Sequence, residues 1–274
     1  MQRRKILLKD ITMGQYFPGD SPIHRIDPRF KIVITFVMIF TLFWGGGYWG
    51  LIFGGTLTFF AMTLSKIPFK LFVKSVKPMF MFLLFMAFFN ILFIKTGTVY
   101  WQWQFLKITS AGVETSVFML IRVTLLVFVS SLLTYTTSPI VLTDAIEHLF
   151  SPLKKLRFPV HELAMMMTIA LRFIPTLIEE TDKIMSAQKA RGAEIDSGSI
   201  LTRVKNFIPI LIPLFISSFR RAEELATAME CRCYNGGKGR TKLRQMKSGI
   251  GDIAALIISL LFFGAVVTLG IIKQ

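Results

Sequence analysis

Long apolar runs dominate this chain, and short breaks marked by glycine, proline or charge divide them. Phe30–Trp44 and Tyr48–Leu64 are separated only by Gly45, Gly46 and Gly47. With their flanks, each approaches the roughly 20 residues that a helix needs to cross a bilayer, so the pattern predicts a tight helical hairpin. Gly50 and Gly54 place two small residues four apart on its second helix, a packing signature. Lys66, Lys70, Lys74 and Lys77 mark a basic loop ending at Pro78, and Met79–Ile94 is the third apolar span. A fourth runs over Val117–Thr136 and contains Arg122; a fifth runs over Ile250–Ile272. Trp44, Tyr48 and Trp49, and again Tyr100, Trp101 and Trp103, fall beside span ends, where aromatic side chains favour the membrane interface.

The pattern changes between Ser138 and Lys247. Leu163–Ile178 is interrupted by Arg172 and Pro175, and Phe207–Phe219 holds Pro209 and Pro213. Such runs are too short to span and fit buried or interfacial helices. Ile208, Leu211, Phe215, Phe219, Ala222, Leu225, Ala226 and Met229 recur every three or four residues, giving one apolar helical stripe. Glu179 with Lys183, and Arg220 with Glu224, have the spacing of ion pairs on the wet face. Residues 1–29 are polar and turn-rich, with Pro18-Gly19 and Ser21-Pro22. Asp27 is placed to cap a helix whose first residue is Pro28. His24 is either a ligand or proton carrier, or a histidine bonded to its own turn.

Composition sharpens the class. Of 274 residues, 53% are hydrophobic, 18% are charged and 27 are Phe, and the mean hydropathy is +0.59. That load excludes an ordinary soluble domain. The net charge of +16 would suit nucleic acid, but its distribution points elsewhere. Of the 32 Lys and Arg, all except Lys95, Lys107, Arg122 and Lys273 fall on one side of a five-span layout. By the positive-inside rule the N-terminus is cytoplasmic and the C-terminus extracellular, with no nucleic-acid partner. The layout is a cytosolic segment at 1–29, transmembrane helices 1–4 over 30–137, a cytosolic helical module over 138–248 and a final transmembrane helix over 249–274. The N-terminal apolar run is too short for a signal peptide. Arg122 is either functional within the membrane or snorkels to the interface.

Candidate chemistry is sparse. Gly236-Gly237-Lys238-Gly239 lacks the spacing and hydroxyl of a phosphate-binding loop, and His161-Glu162 lacks the second His of a zinc-protease helix. Cys231 and Cys233, one residue apart, cannot make an ordinary disulfide, and two thiols make no closed metal site. The spans carry no carboxylate array of the sort that proton-coupled carriers use. The chain reads as neither an enzyme nor a carrier coupled to ions by itself.

One signature occurs twice. Ala190-Arg191-Gly192 ends one predicted helix, Cys231-Arg232-Cys233 ends another, and 41 positions separate the two arginines. Gly192 and Gly236 lie just beyond as natural residues for a helix stop. A cation at a helix C-terminus complements the dipole by ~0.3–1 kcal/mol, which explains either arginine singly. Two together, each flanked by small residues that leave the guanidinium open, suit bidentate pairing with a carboxylate in a partner's groove.

With these residues in view, the chain resembles the transmembrane T component of energy-coupling factor (ECF) transporters, the EcfT family, a vitamin-uptake branch of ATP-binding-cassette (ABC) transporters. The likeness runs through Gly14, Tyr16, Pro18, Gly19, Ser21, His24, Arg25, Asp27, Pro28, Arg29 and Lys31. It continues in Thr137-Ser138-Pro139, Ala170-Leu171-Arg172-Phe173-Ile174-Pro175 and Ala187-Gln188-x-Ala190-Arg191-Gly192. The resemblance implies an all-α integral membrane protein with about five transmembrane helices and a cytosolic module of long, crossing coupling helices. It further implies docking of Arg191 and Arg232, with Ala190, Gly192, Cys231 and Cys233 beside them, on two ABC-type ATPase subunits (A and A′). A membrane-embedded substrate-binding S component would be the third partner. Mg-ATP would belong to the ATPases, this chain would bind no cofactor, and the complex would lie in a prokaryotic plasma membrane. In the second copy Cys231 and Cys233 replace Ala and Gly. The alternative is a self-sufficient seven-span secondary carrier or channel, in which Leu163–Ile178 and Phe207–Phe219 also cross; it would place Asp196 outside.

Overall fold

The computed structural model describes residues 16–44, 48–103, 106–156, 158–193, 199–236, 246 and 248–272. Expectations for Gly14, the Gly45–Gly47 break, Asp196, Gly237–Gly239 and Lys273 lie outside the described residues. The elements are α1 (Pro22–Arg25), α2 (Pro28–Trp44), α3 (Tyr48–Ser65), α4 (Phe69–Val76), α5 (Phe80–Phe93), strands β1 (Val99–Trp103) and β2 (Leu106–Thr109), α6 (Ser110–Thr136), α7 (Pro139–Leu149), α8 (Val160–Ala190), α9 (Ile200–Cys231) and α10 (Ile250–Ile272). Residues 15–142 and 245–274 form one compact unit; residues 143–244 form another.

In the first unit, α2, α3, α6 and α10 enclose an apolar centre. Met38, Leu42, Leu57 and Val129 are buried together, with Phe262 of α10 packed against them. Gly54 explains how closely α2 and α3 approach. A Cβ there would stand 2.6 Å from Leu42 Cδ2, an overlap of the kind that costs ~1–3 kcal/mol in a packed core. A second cluster gathers Met62, Ile67, Phe72, Leu132 and Tyr135 where the short α4 lies against α6. That helix occupies part of the stretch expected as a basic loop, because Phe72 and its apolar neighbours have a surface to cover.

A polar knot closes one end of this unit. Asp27 caps α2, its Oδ1 accepting from Arg29 N at 2.9 Å. The same carboxylate holds the Arg29 side chain at 3.1 and 2.8 Å. Lys31 is buried, and its Nζ donates to His24 O at 3.1 Å, Thr136 O at 3.0 Å and Thr137 Oγ1 at 3.4 Å. Asp252, at the start of α10, accepts from Asp27 N at 3.1 Å and Gly249 N at 2.7 Å. His24 takes the local role: its Nε2 donates to Phe17 O at 3.0 Å, and its Nδ1 meets Ser21 Oγ at 2.7 Å. A carbonyl can only accept, so that contact fixes the proton on Nε2.

Two features depart from the sequence reading. Val99–Trp103 and Leu106–Thr109 form a small antiparallel hairpin, where the all-α reading placed only interfacial aromatic residues. Then α6 begins at Ser110, seven residues before the apolar run, because Thr109 Oγ1 caps it by accepting from Gly112 N at 3.2 Å.

Among the described residues, five helical stretches are long and apolar enough to cross a membrane: Tyr48–Ser65, Phe69–Phe93 (α4 and α5 joined through the 3-10 turn Lys77–Met79), Ser110–Thr136, Val160–Ala190 and Ile250–Gly270. The number agrees with expectation, but the set differs. The 17 residues of α2 rise only ~26 Å, short of the ~30 Å hydrocarbon core. Val160–Ala190 enters instead because Pro175 does not end it; the apolar half and its polar continuation make one 31-residue helix.

Candidate functional site

The second unit is built around α8 and α9. The apolar half of α8 gives way after Ile178 to Glu179, Glu180, Asp182, Lys183 and Lys189, and the helix ends at Ala190. Its stop is a Schellman turn. Gly192 N donates to Lys189 O at 3.1 Å and Ala193 N to Gln188 O at 3.0 Å, with Gly192 at φ +86°. Arg191 is the cap residue of this turn. A Cβ on Gly192 would meet nothing within 4 Å, so the glycine answers a backbone demand and leaves open space beside Arg191.

The second tip repeats this bond for bond. Cys233 N donates to Glu230 O at 2.8 Å and Tyr234 N to Met229 O at 3.0 Å, with Arg232 as cap residue. The left-handed position is filled by Cys233 at φ +54°, not by Gly236 as the sequence reading had it. Gly236 also has positive φ, but it lies three residues further on. The correction follows from register: Gly192 directly follows Arg191, and Cys233 directly follows Arg232. A non-glycine residue in this region costs roughly 1–2 kcal/mol. Ala190, Arg191, Gly192, Cys231, Arg232 and Cys233 are all exposed. Among the described residues, neither arginine has an acidic partner within 4 Å.

Side chains cross-link the two helices. Glu180 forms an ion pair with Arg221 and accepts from Ser217 Oγ at 3.2 Å. This interhelical contact is the ion pair observed, rather than the expected Glu179–Lys183 and Arg220–Glu224 pairs along each helix. Further along, Gln188 Nε2 donates to Pro209 O at 3.3 Å. That carbonyl is free for a covalent reason. Its helical donor would be the N–H of residue 213, and Pro213 has none. As the α8 position falls from 188 to 180, the α9 position rises from 209 to 221, so the helices run antiparallel. Their ends therefore point apart, with Arg191 and Arg232 separated by up to roughly 40 Å along the axes. Sequence reasoning missed both cross-links; the Pro213 spacing four after Pro209 was the available signal.

The apolar stripe of α9 is largely uncovered. Leu211, Phe215 and Phe219 are exposed, and among the described residues Ile210 is the buried hydrophobic residue of that helix. Elsewhere in the unit, His161 Nδ1 meets the buried Glu147 carboxylate at 2.9 Å. No cluster of three or more metal-ligating side chains occurs among the described residues.

Comparison with known proteins gives the family. The sequence profile of the CbiQ family, described as cobalt transport protein, matches residues 19–243. The energy-coupling factor transporter transmembrane protein EcfT of Ruminiclostridium cellulolyticum is 52% identical over 256 residues, covering 93% of this chain and 96% of that protein. The protein of the same name from Clostridium kluyveri is 50% identical over 256 residues, covering 93% and 94%. That of Bacillus subtilis is 43% identical over 259 residues, covering 94% and 97%.

The chain belongs to the EcfT family.

It is accordingly the transmembrane component of an energy-coupling factor transporter, and the resemblance read from the Ala-Arg-Gly signature and the N-terminal motif is correct. The N-terminal part of that EcfT likeness now has a physical role. Asp27, Arg29 and Lys31 tie the start of α2 to the end of α6 and the start of α10.

Proposed function

We propose that this chain is the scaffold through which two ABC-type ATPase subunits, A and A′, drive reorientation of a membrane-embedded S component. The imported species would be a vitamin or related micronutrient, chosen by the S component. The chain itself neither hydrolyses ATP nor holds a cofactor; Mg-ATP belongs to the ATPases. It lies in a prokaryotic plasma membrane with its N-terminus in the cytoplasm and its C-terminus outside.

The observation that carries this reading is the pair of matching helix ends. Each presents an exposed arginine on a Schellman turn, and the Glu180–Arg221 and Gln188–Pro209 contacts hold the two helices together. Guanidinium suits bidentate pairing with a carboxylate. A cross-linked pair with a basic tip at either end converts closure of two ATPases into one rigid-body movement. Leu211, Phe215 and Phe219, exposed on α9, supply an apolar face for the S component. The seven-span carrier needs α9 to cross as well, and α9 is not among the helices apolar enough to do so.

Affinity purification of the tagged chain from its native membrane tests the proposal. Two ABC ATPases and one or more small membrane proteins are expected with the wild-type chain. Arg191→Ala with Arg232→Ala should lose the ATPases and uptake while the chain remains inserted. Recovery of the wild-type chain alone, from membranes active in ATP-dependent uptake, would overturn the reading. So would a double variant that keeps both ATPases and full uptake.

A further inference from the structure

A cavity of about 570 Å³ opens in the first unit between α2, α3, α6 and α10. Its deep wall is apolar and fully packed: Met38, Leu57, Val129 and Leu132 are buried behind it. Its outer edge is formed by Phe60, Leu64 and Ile258, which are 59%, 37% and 47% exposed, so the cavity is a slot open to the side. Three of its four walls are helices long and apolar enough to cross a membrane. The open side therefore faces hydrocarbon.

One end of the slot is polar. Lys31 and Asp252 lie there, and both are satisfied within the fold: Lys31 by His24 O, Thr136 O and Thr137 Oγ1, Asp252 by the N–H groups of Asp27 and Gly249. Arg25 also lines this end. It is exposed and, among the described residues, has no acidic partner. Lys66, just past the α3 end that bears Leu64, adds a second cation to the same end of the bundle. The slot thus pairs a long apolar wall with a free guanidinium at one tip.

Volume decides between a polypeptide and a single hydrocarbon chain. A helix at least ~10 Å across would fill 570 Å³ within roughly 7 Å of its length, under two turns. A flexible chain of methylenes matches the slot, and an anionic head matches Arg25. We propose that this slot holds one acyl chain of an anionic phospholipid, with its phosphate on the Arg25 guanidinium. The lipid is a structural ligand of the membrane unit, bridging α2, α3, α6 and α10 at their basic end. This inference does not depend on the role of the arginine tips.

The test uses the full-length chain in its native complex, extracted in mild detergent and examined by native mass spectrometry with lipid analysis of the same sample. The wild-type chain should retain a single phosphatidylglycerol-class lipid. Reconstituted into nanodiscs of phosphatidylcholine with phosphatidylglycerol, it should enrich the latter; in phosphatidylcholine alone it should retain less lipid after re-extraction. Arg25→Glu should reduce retention roughly fivefold or more by reversing the charge at the head. Ala255→Phe should reduce it for all headgroups by filling the slot, a steric loss that Arg25→Glu does not mimic. Both variants must keep the wild-type melting temperature; should Ala255→Phe unfold the chain, Ala61→Leu on the opposite wall replaces it. Absence of a retained lipid, retention unchanged in both variants, or a photo-crosslink from position 254 to a polypeptide would overturn the proposal.

Discussion

The tips of α8 and α9 share one backbone and differ in chemistry. Both end in the same Schellman turn with an arginine as cap residue. Yet Arg191 lies two residues after Lys189 and directly before a glycine, whereas Arg232 lies two residues after Glu230 and directly before a cysteine. The first tip is doubly basic and conformationally relaxed. The second is locally neutral and holds Cys233 at positive φ. The position of the guanidinium is thus set by hydrogen bonds of the main chain, while the neighbouring side chains are free to differ. Under the proposed function, the two tips would meet two similar but unequal ATPase subunits.

The largest effect should come from removing what the tips share. Truncating a charge that is buried against a partner typically costs 2–5 kcal/mol, so Arg191→Ala or Arg232→Ala should each weaken ATPase binding by roughly 30-fold or more. Titration of the purified chain with each ATPase measures this, and wild-type affinity in both variants would remove the shared-arginine account. Next comes the residue at positive φ. Gly192→Ala should destabilise the first turn by about 1 kcal/mol, whereas Cys233→Ala should change the second little, because that strain is already present. Hydrogen exchange at residues 188–193 and 229–234 would read the contrast; equal loss of protection at both tips would show that Cys233 carries no such strain.

Charge should give a smaller difference. The Lys189 tip should lose more affinity than the Glu230 tip as ionic strength rises, and Glu230→Lys should make their salt dependences converge. Binding measured across a salt series checks this, with the effect of one added charge near ~0.3–1 kcal/mol. Smallest is Cys233→Gly, which should stabilise the second turn by a few tenths to about 1 kcal/mol through relief of backbone strain. A thermal shift downward instead would mean that the thiol makes a contact of its own.

What was legible in the sequence was mainly local. Apolar runs found the cores of α3 and α10, Asp27-Pro28 found the start of α2, and Arg191-Gly192 found the end of α8. Helix starts that depend on a single capping hydroxyl were missed, as at Thr109, because hydropathy is silent over the polar first turns of α6. The short α4 was hidden by its lysines, although Phe72 is fully buried. Contacts between distant residues had no local trace. Lys31 reaches Thr136 across 105 positions, and Asp252 reaches Asp27 across 225. The candidate site divides the same way: its residues were named from a repeated tripeptide, but the equivalence of Cys233 with Gly192 needed the backbone.

The missing N–H of Pro213 makes a statement about inheritance. Helix α9 gives up one internal bond, and Gln188 of α8 takes the carbonyl left over. A residue restoring the amide at 213 would let α9 satisfy itself and release position 188 from any requirement for a donor. The two positions should therefore change together among descendants of this sequence, although they lie in different helices and neither carries a charge.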